Sequence, residues 1–206
     1  ESNGEGNRDG AEINYSWNCG VEGKTRKRTV MERRMTQIRN AFLMLLTSQG
    51  TPMILAGDEF GNTQMGNNNA YCQDNKTGWV NWSEARRNPK LVDYVKQLSV
   101  FRRSHPIIRK SEPMHMNDYQ DTGYPDLSYH CDRAWVTDFS PSRQAVGMLY
   151  CGSDVKQEAG NDFVYAAYNF HNGKKFLALP RLPKGRNWYL VMDTALEEPF
   201  AGEQKL

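Results

Sequence analysis

The chain has 206 residues, of which 38% are hydrophobic, enough for one or two folded domains and too many for wholesale disorder. With 26 basic and 24 acidic residues its net charge is +2, which excludes a strong attraction of the whole molecule to nucleic acid or anionic membranes. No apolar run reaches the ~20 residues that a membrane-spanning helix needs.

The first half of the chain predicts a long loop and then two helices around one strand. Residues 1–27 are rich in Gly, Asn and charged residues, a composition typical of an irregular loop. Apolar residues with helical spacing predict a helix over Arg28–Ser48 and another over Pro89–Arg103. Between them, the short apolar run Thr51–Ala56 predicts a strand buried on both faces, since Gly residues bound it.

The second half changes to a pattern typical of β structure. Pro106–Asp126 contains Pro, Asp and Gly and predicts a connection. Beyond it, five short apolar segments predict strands at Trp135–Phe139, Ala145–Cys151, Phe163–Asn169, Lys175–Leu179 and Trp188–Met192. The pair Asn172-Gly173 is a strong hairpin signal. We therefore predict an antiparallel β-sandwich, with Trp135 and Trp188 filling its core in preference to forming a sugar-stacking platform.

The cysteines and histidines predict no metal centre. The cysteines form no CxxC pair and lie far apart in the sequence, at Cys19, Cys72, Cys131 and Cys151. The four histidines show no spacing typical of zinc ligands. We interpret the cysteines as free thiols of a cytoplasmic protein.

The segment Gly50–Asn75 carries the functional signal. Asp58 and Glu59 follow the predicted strand, at the end where active-site loops gather in parallel α/β folds. Uncharged amide side chains then follow at Asn62, Gln64, Asn67, Asn68, Asn69, Gln73 and Asn75. Such groups suit neutral, hydroxyl-rich ligands such as sugars, but the same residues are ordinary turn formers, so a plain surface loop is an equal alternative.

The motifs GTPMILAGDE, GNNNAYCQDN and WVNW resemble the last barrel strand and following loop of isoamylase-type glycogen debranching enzymes, members of the α-amylase superfamily of glycoside hydrolases. The opening ESNGEGNRDGAEINYSWNCG resembles the loop after the seventh barrel strand of the same enzymes. These blocks cover residues 1–110, and the remainder is similar in character to the family's C-terminal β domain.

This resemblance implies an α+β fragment with two parts. Residues 1–110 would be the C-terminal portion of the catalytic (β/α)8 barrel, as helix–strand–helix, and residues 111–206 a β-sandwich domain. The family's nucleophile, proton donor and assisting carboxylate have no matching positions here, so we expect no catalytic residue in this chain. The residues expected to contact substrate are Asp58, Glu59, Asn67, Asn68, Asn69, Tyr71 and Asp74.

The implied function is cleavage of α-1,6 branch points in glycogen or related α-glucans, with this fragment supplying a wall of the substrate cleft and no cofactor required. The alternative is a non-catalytic carbohydrate-binding module. The expected partner is a branched α-glucan, with no nucleic acid and no membrane. We also expect self-association, because the apolar helix face from Met31 to Leu45 would lack the barrel that covers it.

Overall fold

The computed structural model describes residues 13, 15–71, 73–152, 161–200, 202 and 204–206. These residues divide into two compact units. The first draws on Glu1–Leu45, Pro52–Leu98 and Met192–Ala201, and the second on Leu46–Thr51, Ser99–Val191 and Gly202–Leu206. Residues 1–12 and 14 of the loop predicted over residues 1–27 lie outside the described residues, and so does Cys72.

Both predicted long helices are confirmed. Helix α1 spans Arg28–Thr47 and helix α3 spans Pro89–Ser104, each within one residue of the predicted end. A short helix α2, Trp82–Arg87, precedes α3, and the side chain of Asn81 caps it by accepting from the N–H of Ser83 at 3.1 Å. The sequence does not predict this helix, because six residues are too few for a clear apolar period.

The predicted strand Thr51–Ala56 is wrong. The segment is irregular, and Met53 and Leu55 are 88% and 61% exposed. A parallel strand depends on hydrogen-bonded neighbours on both sides, and no strand of the described residues pairs with this segment. An apolar segment without neighbouring strands does not form a regular strand. Of the predicted helix–strand–helix pattern, the structure therefore contains the two helices and not the strand.

The second unit is built on a three-stranded antiparallel sheet. Its strands are β1, Leu127–His130, β2, Ala145–Gly152, and β3, Asp162–Asn169, in the order β1-β2-β3. Strands β2 and β3 confirm two of the predictions. Strand β1 was missed, because its sequence LSYH is only four residues long and carries a weak signal. A two-stranded antiparallel sheet joins β4, Tyr189–Leu190, to β5, Gln204–Lys205.

Two other predicted strands, Trp135–Phe139 and Lys175–Leu179, are wrong. Both segments are irregular, although the N–H of Ala178 donates to the carbonyl of Cys131 at 2.8 Å. Single bonds of this kind join the segments to their neighbours without a repeating ladder. At the predicted hairpin turn, Asn169 Nδ2 donates to the Gly173 carbonyl at 2.9 Å, but no strand among the described residues after the turn pairs with β3.

Both faces of the three-stranded sheet are covered within the second unit. On one face, Leu127, Tyr150 and Val164 lie side by side across the strands and contact Ile107 and Ile108. The Ile residues come from the 3₁₀ helix Pro106–Arg109. On the other face, Leu149 is fully buried, and Tyr165 packs edge-on against Trp188 with ring centroids 5.9 Å apart. The fold is therefore α+β with antiparallel sheets.

Candidate functional site

Two glycines shape the backbone after helix α1. Gly57 and Gly61 have φ angles of 102° and 75°, in the left-handed region that glycine adopts at low cost. They flank the 3₁₀ helix Asp58–Phe60. A Cβ on Gly57 would lie 2.6 Å from Cβ of Asn62, so that position admits no larger residue without a shift. The pair therefore fixes where the two acidic side chains project.

The acidic pair does not form two facing carboxylates. Glu59 Oε2 accepts from the N–H of Gly57 at 2.9 Å, so one of its oxygens is committed to the local turn. Asp58 is exposed, but partial desolvation by surrounding atoms and then the charge of Glu59 raise the pKa of its carboxyl. Asp58 also lines a groove of about 320 Å³ whose other side chains are mainly apolar: Ile38, Ala41, Phe42, Leu45, Met53, Ile54 and Asn62.

Several amides of the loop brace the backbone. Asn67 Oδ1 accepts from the N–H of Asn69 at 2.8 Å, and Asn69 Oδ1 accepts from the N–H of Tyr71 at 3.2 Å. Asn75 Oδ1 accepts in the same way from Thr77. Each is a local turn in which the side chain imitates a backbone carbonyl. Asn68 is exposed and lies between two bracing residues.

Tyr71 and Asp74 come together in an open depression of about 550 Å³. Tyr71 is 78% exposed, and Asp74 Oδ1 accepts from the indole N–H of Trp79 at 2.9 Å. The other residues that line the depression are Gln64, Ala70, Gln73 and Gly78. Of the predicted site residues, Tyr71 and Asp74 therefore lie together in this depression. Asp58 lies in the separate apolar groove. Glu59 and Asn67–Asn69 line neither the depression nor the groove.

Gly78 is a site residue that the sequence did not single out. A Cβ at this position would lie 2.4 Å from the carbonyl oxygen of Gln73, so the loop closes on itself only if residue 78 is Gly. The preceding Asn75 and Thr77 signal a turn, and this signal could have indicated the closure.

The first unit also has a larger groove, which is crossed by contacts within the protein. It measures about 780 Å³ and lies along α1, the start of α3 and residues 195–200. Lys90 reaches Glu197 and Glu198 at 3.3 Å across it, in pairs that are well exposed. Tyr94 donates its hydroxyl to the Arg39 carbonyl at 3.0 Å. Exposed ion pairs contribute little energy and select no neutral ligand, so we assign no binding role to this groove.

No group of three or more His, Cys, Asp or Glu side chains in the described ranges could hold a metal ion. Over the same part of the chain, no helix is long and apolar enough to cross a bilayer. Cys19, Cys131 and Cys151 are buried free thiols. The chemistry available at the loop is therefore hydrogen bonding by amides and one carboxylate, together with contact by exposed aromatic rings.

The whole chain was compared with known proteins. No family model matches the chain. Isoamylase 3, chloroplastic, of Oryza sativa subsp. japonica is 34% identical over 200 residues, which is 97% of this chain and 23% of that protein. The GlgX homologue of the glycogen operon of Haemophilus influenzae is 41% identical over 157 residues, 66% of this chain and 24% of its own length. The chain is a homologue of the isoamylase and GlgX proteins.

Two solved pullulanase structures have a fold similar to that of this chain. A pullulanase from Paenibacillus barengoltzii, complexed with maltotetraose, matches 77% of this chain with a TM-score of 0.51 and 25% identity, and the match is 21% of that enzyme. The pullulanase of Bacillus acidopullulyticus matches 83% of it with a TM-score of 0.55 at 20% identity, 18% of its own chain. The chain thus spans about a fifth to a quarter of the length of these relatives.

Proposed function

We propose that this chain is part of a glycoside hydrolase that cleaves α-1,6 branch points in glycogen or related α-glucans. The observation that carries the proposal is the 34% identity to an isoamylase over 97% of the chain, because an isolated motif match would not extend through both compact units. Names of the other relatives, including a glycogen debranching enzyme of Dickeya chrysanthemi at 45% identity over 121 residues, support the same class.

In this proposal residues 1–110 complete a (β/α)8 barrel and residues 111–206 form a β-sandwich domain. Two long helices followed by antiparallel strands agree with that order, and so does the likeness to pullulanases. The exposed segment Thr51–Ala56 would become a barrel strand when parallel strands from elsewhere in the enzyme flank it. Buried free thiols support a cytoplasmic location.

The depression around Tyr71 and Asp74 is the proposed rim of the substrate cleft. An exposed phenol ring offers an apolar face to a sugar, and the nearby amide of Gln64 offers both a donor and an acceptor. The bond from Trp79 leaves the second oxygen of Asp74 free to accept from a hydroxyl. Asn67 and Asn69 hold this loop in shape and so act by positioning.

The chain by itself should have no glycosidase activity. Hydrolysis with retention needs two carboxyl groups on opposite sides of the scissile bond. Asp58 and Glu59 are consecutive residues of one 3₁₀ helix, and a carboxylate oxygen of Glu59 is bonded to the turn. A measurable turnover of branched maltodextrin by the chain alone, abolished by Glu59→Gln, would contradict this expectation.

The site is tested in the full-length protein. Tyr71→Ala and Asp74→Ala should each lower kcat/KM for a branched maltodextrin by about tenfold, the loss typical of a buried or stacked contact. Asn68→Ala tests the exposed amide in the same way. The matched control is Lys76→Ala, an exposed residue of the same loop that does not line the depression. Kinetics that do not change in any of the first three variants would refute the assignment.

The isolated chain should also self-associate through helix α1. Met31 is 53% exposed, and the exposed Met53 and Leu55 add apolar surface in the same unit. Apolar patches of this kind favour association. Sedimentation velocity at rising concentration measures it, and Met31→Glu should shift the chain towards monomer. A monomer at all concentrations would contradict the expectation.

A further inference from the structure

Trp135 has an unusual backbone conformation for its side chain. Its φ angle is 67°, in the left-handed region that bulky residues avoid. The residue is nevertheless 47% exposed, contrary to the prediction that it fills the core, so burial of the indole gives little in return. A turn that needs only a positive φ takes Gly or Asn at lower cost. Strained conformations of this kind are concentrated at binding and active sites.

A buried histidine holds Trp135 in place. The backbone N–H of Trp135 donates to Nδ1 of His130 at 2.8 Å, and the two rings meet edge to face with centroids 5.0 Å apart. His130 is 1% exposed, and burial lowers its pKa, so the imidazole is neutral at pH 7. Since Nδ1 accepts, the ring proton is on Nε2, which donates to Ser128 Oγ at 3.0 Å. The backbone of Trp135 is therefore anchored on His130, and its indole contacts the imidazole before any ligand binds.

The neighbouring ring belongs to Tyr124. Its centroid lies 5.8 Å from that of Trp135, and the two ring planes are inclined by 40°. The Tyr124 hydroxyl donates to the carbonyl of Arg181 at 2.9 Å, and its ring meets Phe163 edge-on at 5.1 Å. These two contacts hold the phenol ring at both ends. Trp135 and Tyr124 together form what we call the aromatic platform.

We infer that the aromatic platform binds an α-glucan chain by stacking sugar rings on Trp135 and Tyr124. The class of ligand rests on the proposed function. One side of a pyranose ring consists of C–H groups, which pack on an aromatic face while the hydroxyls stay in water. An α-linked chain curves, so its successive sugar units are inclined to one another, as the rings of Trp135 and Tyr124 are by 40°. A flat linear polymer would require coplanar rings.

The platform would serve as a second, non-catalytic contact with the substrate. It belongs to the second compact unit, whereas Tyr71 and Asp74 belong to the first. Two linked contacts raise the affinity for a large polymer more than for a short oligosaccharide, because the second contact forms at a high effective concentration. Loss of the platform should therefore weaken the binding of glycogen by the full-length protein, and it should leave the binding of a small branched oligosaccharide unchanged.

The test is affinity electrophoresis of the 206-residue chain through native gels that contain glycogen. We expect the chain to be retarded, Trp135→Leu to weaken the apparent affinity about tenfold, and Trp135→Tyr, which keeps an aromatic face, to restore most of it. Phe176→Leu is the matched control, an aromatic residue of the same unit that is 86% exposed and outside the platform. Circular dichroism checks that each variant is folded, since Trp135 also covers His130.

The outcomes separate the platform from the proposed function. Equal retardation of the unchanged chain and of a folded Trp135→Leu variant overturns the platform, and so does loss of retardation in Trp135→Tyr. If no variant is retarded while the full-length protein cleaves branch points, the platform fails and the proposed function stands. If retardation depends on the ring but the full-length protein cleaves no branch point, the platform stands as a carbohydrate-binding site and the proposed function fails.

Discussion

Arg102 closes the C-terminal end of helix α1, and its removal should be costly. Its guanidinium donates to the carbonyls of Leu46 at 2.8 Å, Ser48 at 2.7 Å and Gly50 at 2.6 Å. The Leu46 carbonyl lies in the last turn of the helix, the other two follow its end, and a cation at this position also interacts favourably with the helix dipole. Arg102 is 7% exposed. Burial lowers the pKa of its guanidinium, and the nearby Tyr150 has a smaller, opposite effect on that pKa.

The loss can be estimated bond by bond for Arg102→Met, which keeps most of the aliphatic stem. The bond to Leu46 is buried and charge-assisted, so it contributes ~1.5–3 kcal/mol. The other two bonds are partly exposed, and because water replaces part of each, they contribute roughly 0.5 kcal/mol apiece. The free energy of unfolding should therefore fall by about 3 kcal/mol.

Urea unfolding followed by circular dichroism and by tryptophan fluorescence measures this change. With an m-value of about 2 kcal/mol/M, the midpoint should fall by roughly 1.5 M. Arg103→Met is the matched control, because Arg103 is exposed and should change stability by less than about 0.5 kcal/mol. Arg102→Lys should lie between the two, since an ammonium lacks the planar fork of donors. A loss for Arg102→Met no larger than that for Arg103→Met would refute the reasoning.

Three further predictions concern pH, packing and local stability. Burial of Asp126 raises the pKa of its carboxyl, but hydrogen bonds from the N–H groups of residues 115 and 116 outweigh burial and lower that pKa overall. The ionised carboxylate therefore stabilises the fold fully above about pH 4, and this stabilisation is lost as the pH falls further. Asp126→Asn should remove this acid dependence of Tm. A Cβ on Gly147 would lie 1.7 Å from the Tyr165 hydroxyl, so Gly147→Ala should lower the free energy of unfolding by ~1–3 kcal/mol, and Tyr165→Leu in the same chain should recover part of it. In hydrogen exchange of the monomeric chain, the amides of β2 and β3 should exchange more slowly than those of residues 28–56.

Each of these has a clear contrary result. An Asp126→Asn variant whose Tm falls with acid as steeply as that of the unchanged chain would show that another group controls the acid transition. Additive losses in the Gly147→Ala and Tyr165→Leu double variant would show that the two residues do not compete for space. Equal, strong protection of both segments in a proven monomer would show that the helical part is a self-sufficient fold.

The sequence alone determined the elements whose signal is local. Helices α1 and α3 follow from apolar spacing over 20 and 16 residues, and the two long strands from short apolar runs. The motif GNNNAYCQDN, which resembles the isoamylase-type loop, is also a local signal, because its residues are consecutive in the sequence. Asn67 and Asn69 illustrate the limit, because their pattern fits both a ligand site and a turn, and the structure shows them bracing turns.

Tertiary structure decided everything that depends on a distant partner. Thr51–Ala56 has the composition of a buried strand, but strand formation requires neighbouring strands to accept and donate its hydrogen bonds. The capping contact of Arg102 joins residues more than 50 positions apart, and no sequence period reveals it. Trp135 sits in a pattern that predicts a core strand, yet its backbone is left-handed, its backbone N–H bonds to His130 and its indole is half-exposed. Local propensities set the helices, whereas long-range hydrogen bonds and packing determined which apolar segments became strands and which aromatic rings stayed exposed.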